Sequence, residues 1–245
     1  MRGSECQAGG MTTSSAPSLS EAPATVAIVG GHGKIALLLT ELLADSGAVV
    51  RNIVRNPDHA TDIEERGGTP VVLDVEKAGV EDLVEAYGDA EAVVYAAGAG
   101  GGSNAFRKYT MDLGGSLLAQ QAALELGPHT RFVQISFIGA QNPVAEGTDA
   151  IFSAYWDAKR IADDALMTSD LPWTIVKPGA LLDDPATGTL TVESGTSRGA
   201  KTRRADVAGF ITLVLADPRT IGKEFDISEG DTPMAEALEA HLSQG

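Results

Sequence analysis

Tyr155 and Lys159 stand four residues apart in a stretch without Gly or Pro, a spacing that puts both side chains on one helix face. An ammonium group beside a phenol favours the phenolate. That pulls the phenol below its reference pKa of about 10 and makes Tyr155 a usable acid or base for a carbonyl or an alcohol. Ser136, at the carboxyl end of the apolar run before this helix, could orient the same oxygen. A second group of residues could hold a cofactor. The turn Gly30-Gly31-His32-Gly33-Lys34-Ile35-Ala36 follows the β-branched run Thr25–Val29 and opens the apolar, helix-forming segment Ile35–Ala44. Strand, glycine turn and helix in that order make the start of a dinucleotide-binding βαβ unit. Gly30 permits the tight turn, Gly33 lets backbone approach a pyrophosphate, and small Ala36 lets the helix pack near the strand. The helix N-terminus adds unpaired N–H groups and the positive end of its dipole.

The second apolar run ends in Val54-Arg55-Asn56. An acidic residue there would bind the adenosine ribose 2′-hydroxyl and repel a 2′-phosphate. Arg55 instead offers a guanidinium that can bond phosphate bidentately, with Lys34 as a second cation, so NADP(H) is expected in preference to NAD(H). Asp74, at the end of the third run, could accept from an adenine amino group. Ala96-Ala97-Gly98, at the end of the fourth, leave room for a cofactor ribose against the backbone.

Alternating strands and helices must position these groups. Strands are expected at 25–29, 48–54, 69–75, 91–97, 131–136 and 173–177, and helices near 57–66, 80–87, 106–126 and 152–167. This order implies an α/β fold, a Rossmann-like doubly wound parallel sheet in a single domain over residues 24–245. The segment from about 178 to 245 is expected to be irregular, with short strands near 189–192 and 224–228, a helix at 204–216 and a final helix capped by Thr232-Pro233. It would cover the carboxyl edge of the sheet and shape a substrate pocket, its wall drawn from Phe137–Ile151 and Leu181–Arg203. Phe152, Trp156 and Leu181 suggest an apolar patch there.

The chain of 245 residues carries a formal net charge of −16, which argues against nucleic acid or an anionic membrane as partner. No apolar run reaches the ~18 residues of a membrane span. Cys6 is the single cysteine and His32, His59, His129 and His241 show no ligand spacing, so no metal site is expected. Residues 1–23 read as a disordered Ser-, Ala- and Gly-rich tail without a signal-peptide core, and Met11 is a candidate natural start. A cytoplasmic location is the expectation, as a monomer or homodimer acting on a small-molecule substrate.

Together these residues resemble the atypical branch of the short-chain dehydrogenase/reductase superfamily, close to its NAD(P)-binding, NmrA-like and epimerase-like single-domain members. The likeness runs from about Val26 onward, through the glycine turn, Val54-Arg55-Asn56, Leu73-Asp74-Val75, Tyr95-Ala96-Ala97-Gly98 and Asp112. It continues through Arg131–Ser136, Tyr155-x-x-x-Lys159, Thr174–Gly179 and Asp206-Val207-Ala208. The resemblance implies NADP(H) held with contacts from Ile35, Val75 and Pro178, Tyr155 as acid/base, and Ser136 steadying the substrate oxygen. In that scheme Lys159 contacts the nicotinamide ribose and lowers the Tyr155 pKa. Active members of the superfamily carry Asn where this chain has Asp112, and a carboxylate cannot reproduce all of an amide's hydrogen bonding. Lys177 stands where relatives often have Arg, either facing the cofactor or as a charged strand end. The reaction expected is hydride transfer to a small carbonyl or from an alcohol, or epimerase-like chemistry. A redox sensor whose NADP(H) occupancy alters a protein partner, and a flavin or quinone reductase that needs no Tyr acid, stand as alternatives.

Overall fold

The computed structural model describes residues 23–193, 195 and 199–244. The expected disordered tail, with Cys6 and Met11, falls outside them except for its last residue. Strand β1 (Thr25–Val29) is wholly buried because its side chains alternate between two cores. Val26 and Ile28 join Leu39 and Leu43 of helix α1 (Lys34–Asp45) and Phe210 of helix α7 (Arg204–Ala216). Ala27 and Val29 face the other way, toward Leu83 of α3 (Val80–Tyr87), Ala119 of α5 (Ser116–Leu126) and Leu166 of α6 (Ala150–Met167). The remaining helices are α2 (Ala60–Glu64), the single turn α4 (Ala105–Arg107) and α8 (Met234–Leu242).

Strands β2 (Val49–Val54), β3 (Thr69–Val72), β4 (Ala92–Tyr95), β5 (Arg131–Ile135), β6 (Trp173–Pro178), β8 (Thr189–Glu193) and β10 (Lys223–Pro233) complete an eight-stranded sheet in the order β3-β2-β1-β4-β5-β6-β10-β8. All neighbours pair in parallel except β8, which runs antiparallel to β10. Strand β1 lies between β2 and β4, so the connections that follow these strands leave in opposite directions and open a crevice above the carboxyl end of β1. The Rossmann-like single domain expected from the strand and helix order is the architecture observed.

Two departures from the sequence reading bear on the site. The helix expected over 106–126 is interrupted by a π-helical stretch, Lys108–Gly115. Its wider turn lets the Tyr95 hydroxyl donate to the Met111 carbonyl at 2.5 Å. Gly115 is required there, since a Cβ would lie 2.6 Å from that hydroxyl oxygen. The C-terminal segment is also more ordered than expected. Strands β7 (Ala180–Leu182) and β9 (Lys201–Arg203) form a separate parallel pair over the carboxyl edge of the main sheet. Gly179 is held between the Ile227 carbonyl and the Thr202 hydroxyl, which fastens this pair to β10. Among the described residues, no helix is long and apolar enough to cross a membrane.

Candidate functional site

The glycine turn is built by close approach. A Cβ on Gly30 would lie 2.6 Å from the Ala97 Cα, and one on Gly31 would lie 2.6 Å from the Asn52 Cβ. Gly30 also has φ of +81°, in the left-handed region. The Gly30 and Gly31 N–H groups both donate to the Ile53 carbonyl, and the Asn52 side chain donates to the Gly31 carbonyl at 2.8 Å. The turn is therefore fixed from β2, through an asparagine the sequence reading passed over. At α1, Gly33 is the N-cap with no side-chain cap and no acidic residue in the first turn. The first-turn N–H groups are left as donors for an anion. This donor set and the glycine cradle fit the pyrophosphate of a dinucleotide.

Three connected cavities follow the carboxyl edge of the sheet. The first, about 280 Å³, is bounded by Gly30, His32, Arg55, His59, Asp74 and Arg107. The second, about 630 Å³, shares Ala96, Ala97 and Gly98 with the first and reaches Ser136, Tyr155 and Lys159. Ile35 also lines this middle chamber, whereas Val75 lines the first. The third, about 520 Å³, shares Ser136, Phe152, Tyr155 and Leu181 with the second. Pro178 lines this third chamber, away from the first. Its walls are aromatic: Phe137 lies 5.2 Å from Tyr155 and 5.4 Å from Trp156 between ring centroids, and Phe152 lies 5.7 Å from Trp156.

At the first cavity, Arg55 is well exposed and stands 3.8 Å from Glu76. Glu76, missed in the sequence, is the organiser of this end: Arg107 grips it through two nitrogens and the Thr110 hydroxyl donates to it. The Arg107 hydrogen bonds hold the Glu76 carboxyl below its ordinary value. Asp74 lies past the end of β3, in the turn, where Lys77 pairs with it and lowers its carboxyl. Lys34 is not beside Arg55. Its ammonium bonds Asp183 at 2.6 Å, where Arg204 also binds, so it ties α1 to the C-terminal segment. The cause is its place on α1, which faces that segment rather than β2.

The Tyr155–Lys159 pair also departs from expectation. Burial pushes the Tyr155 phenol up, and the Asp112 and Asp163 carboxylates push it further. Lys159 donates to the Ile135 carbonyl at 2.8 Å, and burial pulls its ammonium below the usual lysine value. Instead of Lys159 lowering the phenol, Lys108 stands 5.4 Å from the Tyr155 ring centroid while donating to the Gly100 carbonyl. Asp112 is buried and accepts from the Ala99 N–H at 3.1 Å, so it holds the glycine-rich loop after β4. The π-helical stretch brings Lys108 and Asp112 to the same cavity; the only sequence signal for it is Gly114-Gly115 inside a helical pattern.

Ser136 donates its hydroxyl hydrogen to Asp163 at 2.5 Å, and Gln134 donates to the other carboxylate oxygen at 2.5 Å. Toward the cavity Ser136 therefore presents lone pairs, not the donor expected of it. Burial raises Asp163 from an ordinary 3.8 to about 6, against the opposing pull of Ser136, Gln134, Lys159 and Lys177. Lys177 is a buried charged residue at the end of β6, where it pairs with Glu224 at 2.7 Å and with Asp226 at 3.6 Å. A raised folded-state pKa stabilises fully below the unfolded value, and that stabilisation is lost as pH rises through the folded one. Asp163→Asn removes this titration. The stability of the wild type relative to Asp163→Asn is then expected to fall by about 3 kcal/mol between pH ~4 and pH ~7. Urea unfolding at both pH values checks this, and a constant difference would contradict the assignment.

Among the described residues no cluster of His, Cys, Asp and Glu could hold a metal ion. The sequence profile of a family described as NAD(P)H-binding matches residues 30–218. A Bacillus subtilis protein named an uncharacterized sugar epimerase is 33% identical over 214 residues, covering 87% of this chain and 98% of the relative. A solved Bacillus halodurans structure, provisionally titled an NAD-dependent epimerase/dehydratase, superposes with a TM-score of 0.81 at 34% identity, covering 88% of this chain and 99% of that one. The fold is also that of a Veillonella parvula short-chain dehydrogenase/reductase solved in complex with NADP, with a TM-score of 0.66 at 21% identity over 86% of this chain and 97% of that one.

Proposed function

The chain belongs to the NAD(P)H-binding family of Rossmann-fold, oxidoreductase- and epimerase-like proteins, and from that premise we propose that it is an NADP(H)-dependent oxidoreductase acting on a small carbonyl or alcohol by hydride transfer. The observation that carries this reading is the continuous row of three cavities, from the uncapped α1 N-terminus and Arg55 to the Tyr155 phenol. When bound along that row, the cofactor supplies or takes the hydride. The chain's own residues orient the acceptor and deliver the proton. Tyr155, kept as a neutral phenol by its burial, is the proton donor. Arg55 supports NADP(H) over NAD(H), having an exposed guanidinium at the cavity where the adenosine ribose would lie. The NADP in the Veillonella parvula structure is consistent with that choice.

A side-by-side titration with NADPH and NADH tests the cofactor assignment. Tighter NADPH is expected, by about tenfold for one guanidinium–phosphate contact. Equal affinities would remove the preference, and binding of neither would remove the oxidoreductase reading. A flavin or quinone reductase is the second reading. It is favoured by the aromatic walls of the third cavity and by a Ser136 hydrogen already committed to Asp163.

A further inference from the structure

We propose that His32 and His59 complete, with Arg55, a phosphate-binding group whose charge sets the discrimination between 2′-phosphorylated and unphosphorylated dinucleotides, so that this discrimination widens as pH falls. The inference rests on the cofactor reading above and adds to it a titrating determinant of specificity.

The two imidazoles come from different elements and meet in one place. His32 is the third residue of the glycine turn, and His59 ends the 3-10 turn Pro57–His59 after β2. Their rings stack with centroids 3.6 Å apart at an interplanar angle of 12°. Both line the first cavity together with Arg55. The geometry is braced from behind. The Asn56 side chain accepts from the Asp58 N–H and fixes the 3-10 turn, while His32 Nε2 lies 2.7 Å from Asp62 Oδ2. Asp62 is held below the ordinary carboxylate value chiefly by His32.

The charge balance gives these rings their importance. Two guanidinium groups, Arg55 and Arg107, line the cavity against two carboxylates, Asp74 and Glu76, so the fixed charges cancel. Arg107 is already gripped by Glu76, and Lys77 by Asp74. Behind the rings, Asp58 and Asp62 stand in the same segment as Arg66, which pairs with Glu41. A phosphate monoester near neutral pH carries about −1.5 to −2 charges, more than Arg55 alone can match. The imidazoles are the groups at this end whose charge changes in the neutral range. The two rings lie 3.6 Å apart and so face one place, and an anion close to an imidazole favours its protonated form. A 2′-phosphate beside them is such an anion; the 2′-hydroxyl of the unphosphorylated dinucleotide is not.

The test is calorimetric titration of the full chain with NADP+ and with NAD+, both stable in mild acid, at several values between about pH 6 and about pH 8. The proteins are the wild type, His32→Gln, His59→Gln and the double variant. In the wild type the NADP+ to NAD+ affinity ratio is expected to rise about tenfold from the alkaline to the acid end. In the double variant it should stay level or fall, since the ligand's own 2′-phosphate loses charge near pH ~6. NAD+ affinity should be the same in all four proteins. A double variant that tracks the wild type would overturn the inference, as would a parallel loss of NAD+ affinity, which would put the rings on the shared pyrophosphate. Binding of neither nucleotide at any pH would overturn the cofactor reading itself, and is thereby told apart from failure of the histidine pair alone.

Discussion

Gly30→Val is expected to weaken NADP+ binding by at least about 100-fold and to lower the melting temperature by about 10 °C. A β-branched residue at φ of +81° is a conformational outlier, and the left-handed region costs roughly 1–2 kcal/mol. The new Cβ would also lie 2.6 Å from the Ala97 Cα, which is backbone and cannot swing away; overpacking of this kind costs about 1–3 kcal/mol. The turn can relieve both only by lifting from β4, which carries the first-turn N–H donors of α1 out of reach. Losing two hydrogen bonds to a charged phosphate, at about 1.5–2 kcal/mol each, gives the binding loss. Gly101→Ala is the matched control. Its Cβ meets nothing within 4 Å and its φ is not in the left-handed region, so stability should stay as in the wild type. Calorimetric titration and thermal unfolding read both quantities. Wild-type affinity in Gly30→Val would mean that the turn does not carry the pyrophosphate.

The parts of the fold that were legible in the sequence are those whose causes are local. Thr25–Val29 alternates between two cores, and its β-branched residues declare a buried strand without reference to anything distant. In the same way α1 shows its buried face at Ala36, Leu39, Thr40 and Leu43, and its start at the glycine turn. Features with non-local causes were hidden. The π-helical stretch meets a partner from another element, the Tyr95 hydroxyl that donates to the Met111 carbonyl. The β7–β9 pair joins two three-residue segments, and neither is long enough to show a period. Strand β3 ends at Val72, short of the expected Val75, because Asp74 turns the chain by accepting from the Glu76 N–H.

At the site, residue types and approximate places were legible, but hydrogen-bond partners were not. Tyr155, Lys159, Ser136 and Asp112 do line one cavity. What each can do there is decided by groups far away in sequence. Ser136 is turned into an acceptor by Asp163, whose position four residues beyond Lys159 on α6 gave a helix-face signal that was not followed. Glu76 was unremarkable as a lone acid in a turn, yet it engages Arg107, Thr110 and Arg55 together. Lys34 looked like a phosphate ligand because of its neighbours in the chain. Its partner is Asp183, which no local pattern could name.

Tyr155→Phe is expected to lower turnover of small carbonyls by about 100-fold or more while leaving the NADPH dissociation constant unchanged. The phenol is the group best placed to donate in the middle cavity. Ser136 commits its single hydroxyl hydrogen to Asp163, and Lys159 is anchored by one of its three ammonium hydrogens on the Ile135 carbonyl. Burial, with Asp112 and Asp163 nearby, keeps Tyr155 protonated through the neutral range. On the proposed reading it is expected to serve as the acid for carbonyl reduction, and turnover should show no inflection from Tyr155 between about pH 6 and about pH 9. A carbonyl oxygen gaining negative charge needs donors, and the lone pairs of Ser136 oppose it while Asp163 is ionised. Below about pH 6 the Asp163 carboxyl takes up a proton and can donate to Ser136, whose own hydrogen then turns toward the cavity. Asp163→Asn fixes that arrangement at every pH, because its amide nitrogen donates to Ser136 while its oxygen still accepts from Gln134. The wild type should therefore gain carbonyl turnover on acidification and Asp163→Asn should not. Tyr155→Phe should be slow in both backgrounds. Full turnover of a quinone or flavin by Tyr155→Phe would instead assign the aromatic third cavity to a conjugated acceptor that takes hydride without a protein acid.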